Sequence, residues 1–276
     1  MLVDEVRQAV AGGTALARSL GLDVDDVVVL QNSNKLALRL LPCDVMARVA
    51  PAAQHVAEFE IDLAQRLTAN GSPVAALEPR VEPRVYQRDG FAITFWTYYA
   101  STTADEVPPA DYARALGRLH AGMRELDVRA PHFMERVEQA RLVVSCPERS
   151  PALSDADRDL LVRTLRNVSR AIGERGAAEQ LLHGEPHPGN LLPTTDDGLR
   201  FIDLETFCRG PVEFDLAHAP EAVGDHYPGV DRDLLRECRL LVLAIVTAWR
   251  WDRDDQLPNG TELGTQWLGQ IREAFE

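Results

Sequence analysis

Between residues 181 and 217 the chain runs through Leu-Leu-His183-Gly184-Glu185-Pro186-His187-Pro188-Gly189-Asn190, then a polar turn over 194–198. It then reaches Ile202-Asp203-Leu204-Glu205 and, further on, Asp215-Leu216-Ala217. Apolar flanks around a polar centre rich in proline and glycine predict two short strands that deliver a stiff loop and a carboxylate to one place. Phosphoryl transfer needs such a set. One carboxylate accepts or orients the proton of an attacking hydroxyl, and a second, with a carbonyl-type oxygen, holds the magnesium ion that bridges the phosphates. Glu185, Asp203 and Asn190 stand in the order that this chemistry expects. Singly they read otherwise: an Asn in a Pro-Gly turn is a turn residue, and an Asp at a strand end is a cap. The combination carries the signal. Zinc chemistry does not fit, because no Pro-Cys-x-x-Cys follows His183-Gly-Glu185, and Pro186 and Pro188 forbid the helix that a His-Glu-x-x-His site needs.

The elements around this segment must position it. Apolar residues at Val3, Val6, Val10, Leu16 and Leu20 predict an N-terminal helix that stops at Gly21. Short β-rich runs at Val27–Leu30, Lys35–Leu41 and Val45–Ala50 predict three antiparallel strands. Val56, Phe59, Leu63 and Leu67 fall on one face of a helix over 55–69, ended by Asn70-Gly71-Ser72-Pro73. Strand material at 84–87 and 91–99 flanks the turn signal Asp89-Gly90. Beyond residue 100 the pattern turns helical. Tyr112, Leu116, Leu119 and Met123 form one stripe, Ser154 to Asp157 a capping box, 231–251 a helix apolar on nearly every side, and Leu263, Trp267, Ile271 and Phe275 an amphipathic face. The expected organisation is α+β, with a small sheet lobe over 1–99 and a larger helical lobe over 100–276.

The segment resembles the aminoglycoside phosphotransferase family, whose relatives phosphorylate choline, homoserine, sugars or antibiotics. That family carries H-G-D-x-x-x-x-N, then I-D, then D-L-A. His183, Gly184, Asn190, Ile202, Asp203, Asp215, Leu216 and Ala217 match, while Glu185 replaces the aspartate. The resemblance implies a bilobal protein-kinase-like fold with an antiparallel sheet and one helix in the first lobe. It implies that Asn190 and Asp203 ligate Mg2+, that Glu185 takes the base position with His183 holding the catalytic loop, and that Asp215 braces that loop. It also implies that Arg48 on the third strand meets the α and β phosphates and pairs with Glu60 on the following helix. The loop ending at Asn34 folds over the phosphates, and Thr97 and Tyr98 present backbone to the base of ATP or GTP. Glu keeps the charge of Asp but adds one methylene, and a displacement of about 1 Å can cost on the order of a hundredfold in rate.

Charge narrows the partners. The chain has 29 Lys and Arg against 43 Asp and Glu, a net charge of −14, which repels phosphate backbones and argues against nucleic acid. Seven acids against one Arg over 203–231 point to a cationic small-molecule acceptor such as an aminoglycoside, another antibiotic or an amino alcohol. Cys43, Cys146, Cys208 and Cys238 form no C-x-x-C pair and fit a reducing compartment. The first residues lack the order of a signal peptide and no apolar run is long enough for a bilayer, so a cytoplasmic monomer or homodimer, not bound to membrane, is expected. The other reading is a nucleotide-binding scaffold with a weakened site, resembling a pseudokinase, which Glu185 and the glycine-free loop over 31–34 would suit.

Overall fold

The computed structural model describes residues 1, 3–33, 35–52, 56–101, 107–195 and 198–275. In chain order the elements are α1 (Val3–Ser19), β1 (Val24–Asn32), β2 (Leu36–Pro42), β3 (Val45–Pro51), α2 (Val56–Ala69), β4 (Tyr86–Arg88), β5 (Phe91–Thr97), α3 (Pro109–Arg124), α4 (Met134–Ser145) and α5 (Asp155–Glu174). They continue with β6 (Gln180–Leu182), β7 (Leu191–Pro193), β8 (Leu199–Phe201), β9 (Cys208–Gly210), α6 (Val212–Leu216), α7 (Val223–His226), α8 (Arg232–Arg250) and α9 (Gly260–Glu273). The chain forms two compact units, one of Met1–Val107 with Gly189–Glu205, the other of Pro108–Pro188 with Thr206–Glu276. The division thus falls after Val107 rather than near residue 100, and 189–205 belongs with the first unit, which a single cut in the sequence does not provide for.

In the first unit the five-stranded sheet has the order β1-β2-β3-β5-β4, with every neighbouring pair antiparallel. Leu36, Leu38 and Leu40 of β2 and Val45, Ala47 and Val49 of β3 are buried on one face. The two-residue period of a strand then turns Arg48, between Ala47 and Val49, to the other face. α1 lies on the apolar face through small residues: a Cβ on Gly13 would meet Leu38 and Val49 at 3.5 Å. Asp89 and Gly90, with φ of 51° and 82°, make the tight turn between β4 and β5. In α2 the expected apolar stripe is off by one position. Phe59 is 60% exposed while Glu60 is 2% exposed, inward with Ile61, Leu63, Ala64 and Leu67. A buried carboxylate on an apolar face requires a partner, and that partner proves to be part of the site.

In the second unit α4, α5 and α8 share a core that includes Val137, Leu161, Leu165, Leu241 and Ile245, with Leu268 and Ile271 from α9. Ser154 caps α5 by accepting the Asp157 N–H at 3.2 Å. Asp231 caps α8 by accepting from Asp233 and Leu234. The inward face of α9 is Gly260, Gly264, Leu268 and Ile271, not the expected Leu263, Trp267 and Phe275; Phe275 lies beyond the helix and is 58% exposed. The glycines let α9 approach closely: a Cβ on Gly264 would stand 3.0 Å from Arg250 and Trp251 atoms. No described helix is long and apolar enough to cross a membrane.

Candidate active site

The residues singled out in the sequence form two clusters, one in each unit. In the first, β3 and α2 place Arg48 and Glu60 together, with Arg48 Nη1 2.5 Å from Glu60 Oε1 and Nη2 2.5 Å from Asp203 Oδ1. Burial opposes the guanidinium charge, but Glu60 and Asp203 outweigh it and hold the pKa of Arg48 above its ordinary value. Glu60 also accepts the Leu204 N–H at 3.1 Å. The β7–β8 pairing sets Asn190 beside Ile202, whose N–H donates to the Asn190 carbonyl at 3.0 Å. Asp203 follows with φ 65°, a left-handed conformation that costs a non-glycine residue about 1–3 kcal/mol. The bonds at Ile202 and Leu204, on either side, hold it there.

Two further residues join this cluster that the sequence reading did not assign. Lys35 forms an ion pair with Glu205 and its Nζ stands 3.6 Å from Asp203 Oδ1. Burial and the neighbouring Asp203 push the Glu205 carboxyl up, against the pull of Lys35. A signal existed: Lys35 is the single lysine of the chain. Asn34 lies outside the described residues. Thr97 donates its N–H to the Ala76 carbonyl at 2.9 Å, and the Tyr98 ring lies under the Arg39 guanidinium at 4.0 Å.

The side chains of Asp203 and Asn190 offer oxygen donors from neighbouring strand ends. Among the described residues no group of three or more His, Cys, Asp or Glu forms a complete metal cage.

In the second unit the loop after β6 is fixed through its backbone. Gly184 has φ 92°, and a Cβ there would lie 1.9 Å from the Thr206 carbonyl oxygen, so glycine is required. Asp215 on α6 is fully buried and accepts from the His183 N–H at 2.9 Å and the Gly184 N–H at 2.8 Å. His120 Nε2 is 2.9 Å from the same carboxylate and His120 Nδ1 is 2.7 Å from the Tyr227 hydroxyl. Since an ionised carboxylate only accepts, His120 donates its Nε2–H to Asp215, and its Nδ1 pairs with the Tyr227 hydroxyl. Burial alone would raise the Asp215 carboxyl; His120, His183 and the Gly184 N–H bring it below its ordinary value. Burial pushes the Tyr227 hydroxyl up to about 12.

Glu185 forms an ion pair with Arg136 on α4. Burial would raise its carboxyl, and the guanidinium outweighs that and holds it below the usual carboxylate range. The buried His183 ring accepts the Glu185 N–H at 3.3 Å through Nδ1. The Tyr112 hydroxyl donates to the Pro186 carbonyl, tying the loop to α3. His218, whose buried Nε2 has no hydrogen-bond partner among the described residues, is kept neutral by burial, its pKa pushed down to about 4. Arg136, His120, Tyr227 and His218 were not legible as site residues, although a histidine inside the Leu116, Leu119, Met123 stripe is a polar group on an apolar face.

The acidic run over 203–231 is not a free patch. Asp203 meets Arg48, and Glu205 meets Lys35. Glu213 accepts the Asp231 N–H, and Asp215 is enclosed. Asp225 pairs with Arg232, Glu221 lies 3.5 Å from Arg239, and Asp231 caps α8 and lies 3.6 Å from Arg175.

Comparison with known proteins gives the family and the fold. The phosphotransferase enzyme family matches residues 18–237. An aminoglycoside 2'-phosphotransferase-IIIa in complex with GDP superposes with a TM-score of 0.70 at 14% identity, covering 95% of this chain and 97% of that one. An amicoumacin kinase in complex with AMP-PNP and Ca2+ does so with a TM-score of 0.69 at 11% identity, covering 99% and 96%. A choline/ethanolamine kinase family protein from Mesorhizobium loti gives 0.68 at 18% identity, covering 100% and 95%. These likenesses establish the α+β kinase-like fold. No curated protein matches the sequence.

Proposed function

The chain belongs to the phosphotransferase enzyme family, and from that premise we propose that it moves the γ-phosphoryl group of ATP or GTP to a hydroxyl of a small molecule, with Mg2+ as the ion. The observation that carries this reading is Arg48 bridging Glu60 and Asp203 at 2.5 Å each. A buried cation fixed to a helix carboxylate on one side and to Asp203 on the other supports a reading in which Arg48 meets phosphate beside a metal-ligating carboxylate.

Within this reading Asn190 and Asp203 would hold Mg2+, which would supply charge neutralisation to the phosphates. Arg48 contacts the α and β phosphates. Thr97 and Tyr98 line the base, with the Thr97 N–H held by the Ala76 carbonyl. Glu185 receives or orients the proton of the acceptor hydroxyl, and the low pKa that Arg136 gives it keeps it ionised at neutral pH. Arg136 also fixes the carboxylate at the end of the longer side chain. His183 and Asp215 hold the loop that presents it.

The acceptor is a hydroxylated small molecule. The preference for a cationic one rests on the net charge of −14, since the acids of 203–231 are engaged elsewhere. A cytoplasmic setting and a monomer or homodimer complete the proposal. The test is Mg2+-dependent release of ADP or GDP across a panel of amino sugars and hydroxylated amines. Stimulation by one class identifies the acceptor. Tight nucleotide binding with no stimulation by any compound would overturn transfer in favour of the weakened scaffold, which the Arg136–Glu185 pair would then explain.

A further inference from the structure

The chain carries 28 arginines and one lysine. That lysine stands at the start of β2 with its ammonium between Glu205, with which it pairs, and Asp203 Oδ1 at 3.6 Å. Its side chain is 17% exposed, and with Arg48, Glu60 and Glu205 it lines one recess floored by Ala50 and Ala92. Arginine serves everywhere else, including the fixed bridge made by Arg48, so lysine at this one position calls for a property that arginine lacks. A guanidinium is a planar fork suited to holding two partners at once; an ammonium is a compact point charge on a flexible stem that changes partners readily.

We propose that Lys35 is a nucleotide-phosphate ligand held in reserve by the carboxylates of the metal loop. This rests on the nucleotide and metal reading given above. A divalent ion held by Asn190 and Asp203 would compete with the ammonium for Asp203 and repel it at short range. Lys35 is then released from the pair and turns to the phosphates that arrive with the ion. The swap keeps the carboxylate pair neutralised in both arrangements. It also makes phosphate binding through Lys35 conditional on metal, so that nucleotide and ion bind cooperatively.

Titration calorimetry on the full chain and on Lys35→Met tests this with Mn2+ alone and with Mg2+ plus AMP-PNP or GMP-PNP. Loss of the competing ammonium should tighten Mn2+ binding severalfold, and loss of one charge-assisted phosphate contact should weaken the nucleotide about tenfold. Both affinities within about twofold of the unaltered chain, the error expected of a pair that is merely structural, would overturn the proposal. Should Lys35→Met not fold, the unaltered chain answers: reductive 13C-methylation labels only Lys35 and the N-terminus. The Lys35 resonance should move with Mg2+ alone and move again when AMP-PNP or GMP-PNP is added; a resonance that ignores both refutes the swap. A wild-type chain that binds neither Mn2+ nor nucleotide refutes the nucleotide reading itself, and this inference with it.

Discussion

The cluster around Asp203 and the cluster around Asp215 are both built on an aspartate, and they are built for opposite ends. Asp203 has a side chain one-third exposed, a left-handed backbone and two cations competing for it. Asp215 is fully enclosed and held by two backbone N–H groups and one imidazole. Ion pairs at partly exposed carboxylates exchange partners at small cost. A buried carboxylate held by three donors cannot change partner without leaving a donor unsatisfied. One aspartate is therefore partly exposed and shared between two cations, and the other holds the backbone at His183 and Gly184 in one shape.

That contrast is most exposed at Asp215. Asp215→Ala should cost about 3–5 kcal/mol in urea unfolding, because it strands buried donors; a loss under about 1 kcal/mol, the size of a surface pair, would erase the distinction. Its pKa is depressed in the fold, so its contribution is complete above the unfolded value of about 3.9 and is lost as pH falls through the folded value. Acid unfolding should accordingly shift in the variant, while stability near pH 7 falls uniformly.

Glu185→Gln should lower turnover by on the order of 10²–10⁴ with nucleotide affinity nearly unchanged, because Glu185 titrates an acceptor proton and touches no phosphate. Equal turnover would remove it from the base position. Arg136→Met sharpens the same point through pH rather than rate. Without the guanidinium, burial dominates and the Glu185 carboxyl rises, so the acid limb of the turnover profile should move to higher pH. A profile that only scales down would make Arg136 a purely structural residue.

The smaller effects separate the two clusters further. Tyr227→Phe removes one hydrogen bond to His120 and should cost about 1 kcal/mol, measurable as a lower urea midpoint at unchanged slope. Glu205→Gln, on the exchangeable side, should change stability by less than about 1 kcal/mol while weakening divalent-ion binding. A larger loss of stability from Glu205→Gln than from Tyr227→Phe would reverse the comparison.

The motif was legible because phosphoryl transfer constrains residue type and spacing together: His183, Glu185, Asn190, Asp203 and Asp215 lie within 33 residues of sequence, and their order alone suggests the chemistry. The strand and helix alternation of the first hundred residues was legible for the same reason, since two-residue and 3.6-residue periods are written in the apolar positions. Glu60 was found by family resemblance, while the helical stripe pointed to Phe59, because periodicity assumes that only apolar groups turn inward.

What the sequence by itself determined was therefore local: which segments are strands and helices, and which loop carries the carboxylates. What only the tertiary structure decided was partnership. Arg136 and His120 come to Glu185 and Asp215 from α4 and α3, far earlier in the chain, and Lys35 comes to Glu205 from β2. No spacing encodes those meetings, because they follow from how helices and strands pack rather than from neighbours in sequence. The same packing shows that the acids of 203–231 are individually engaged, a conclusion that net charge could not reach, since counting charges carries no information about which of them face each other.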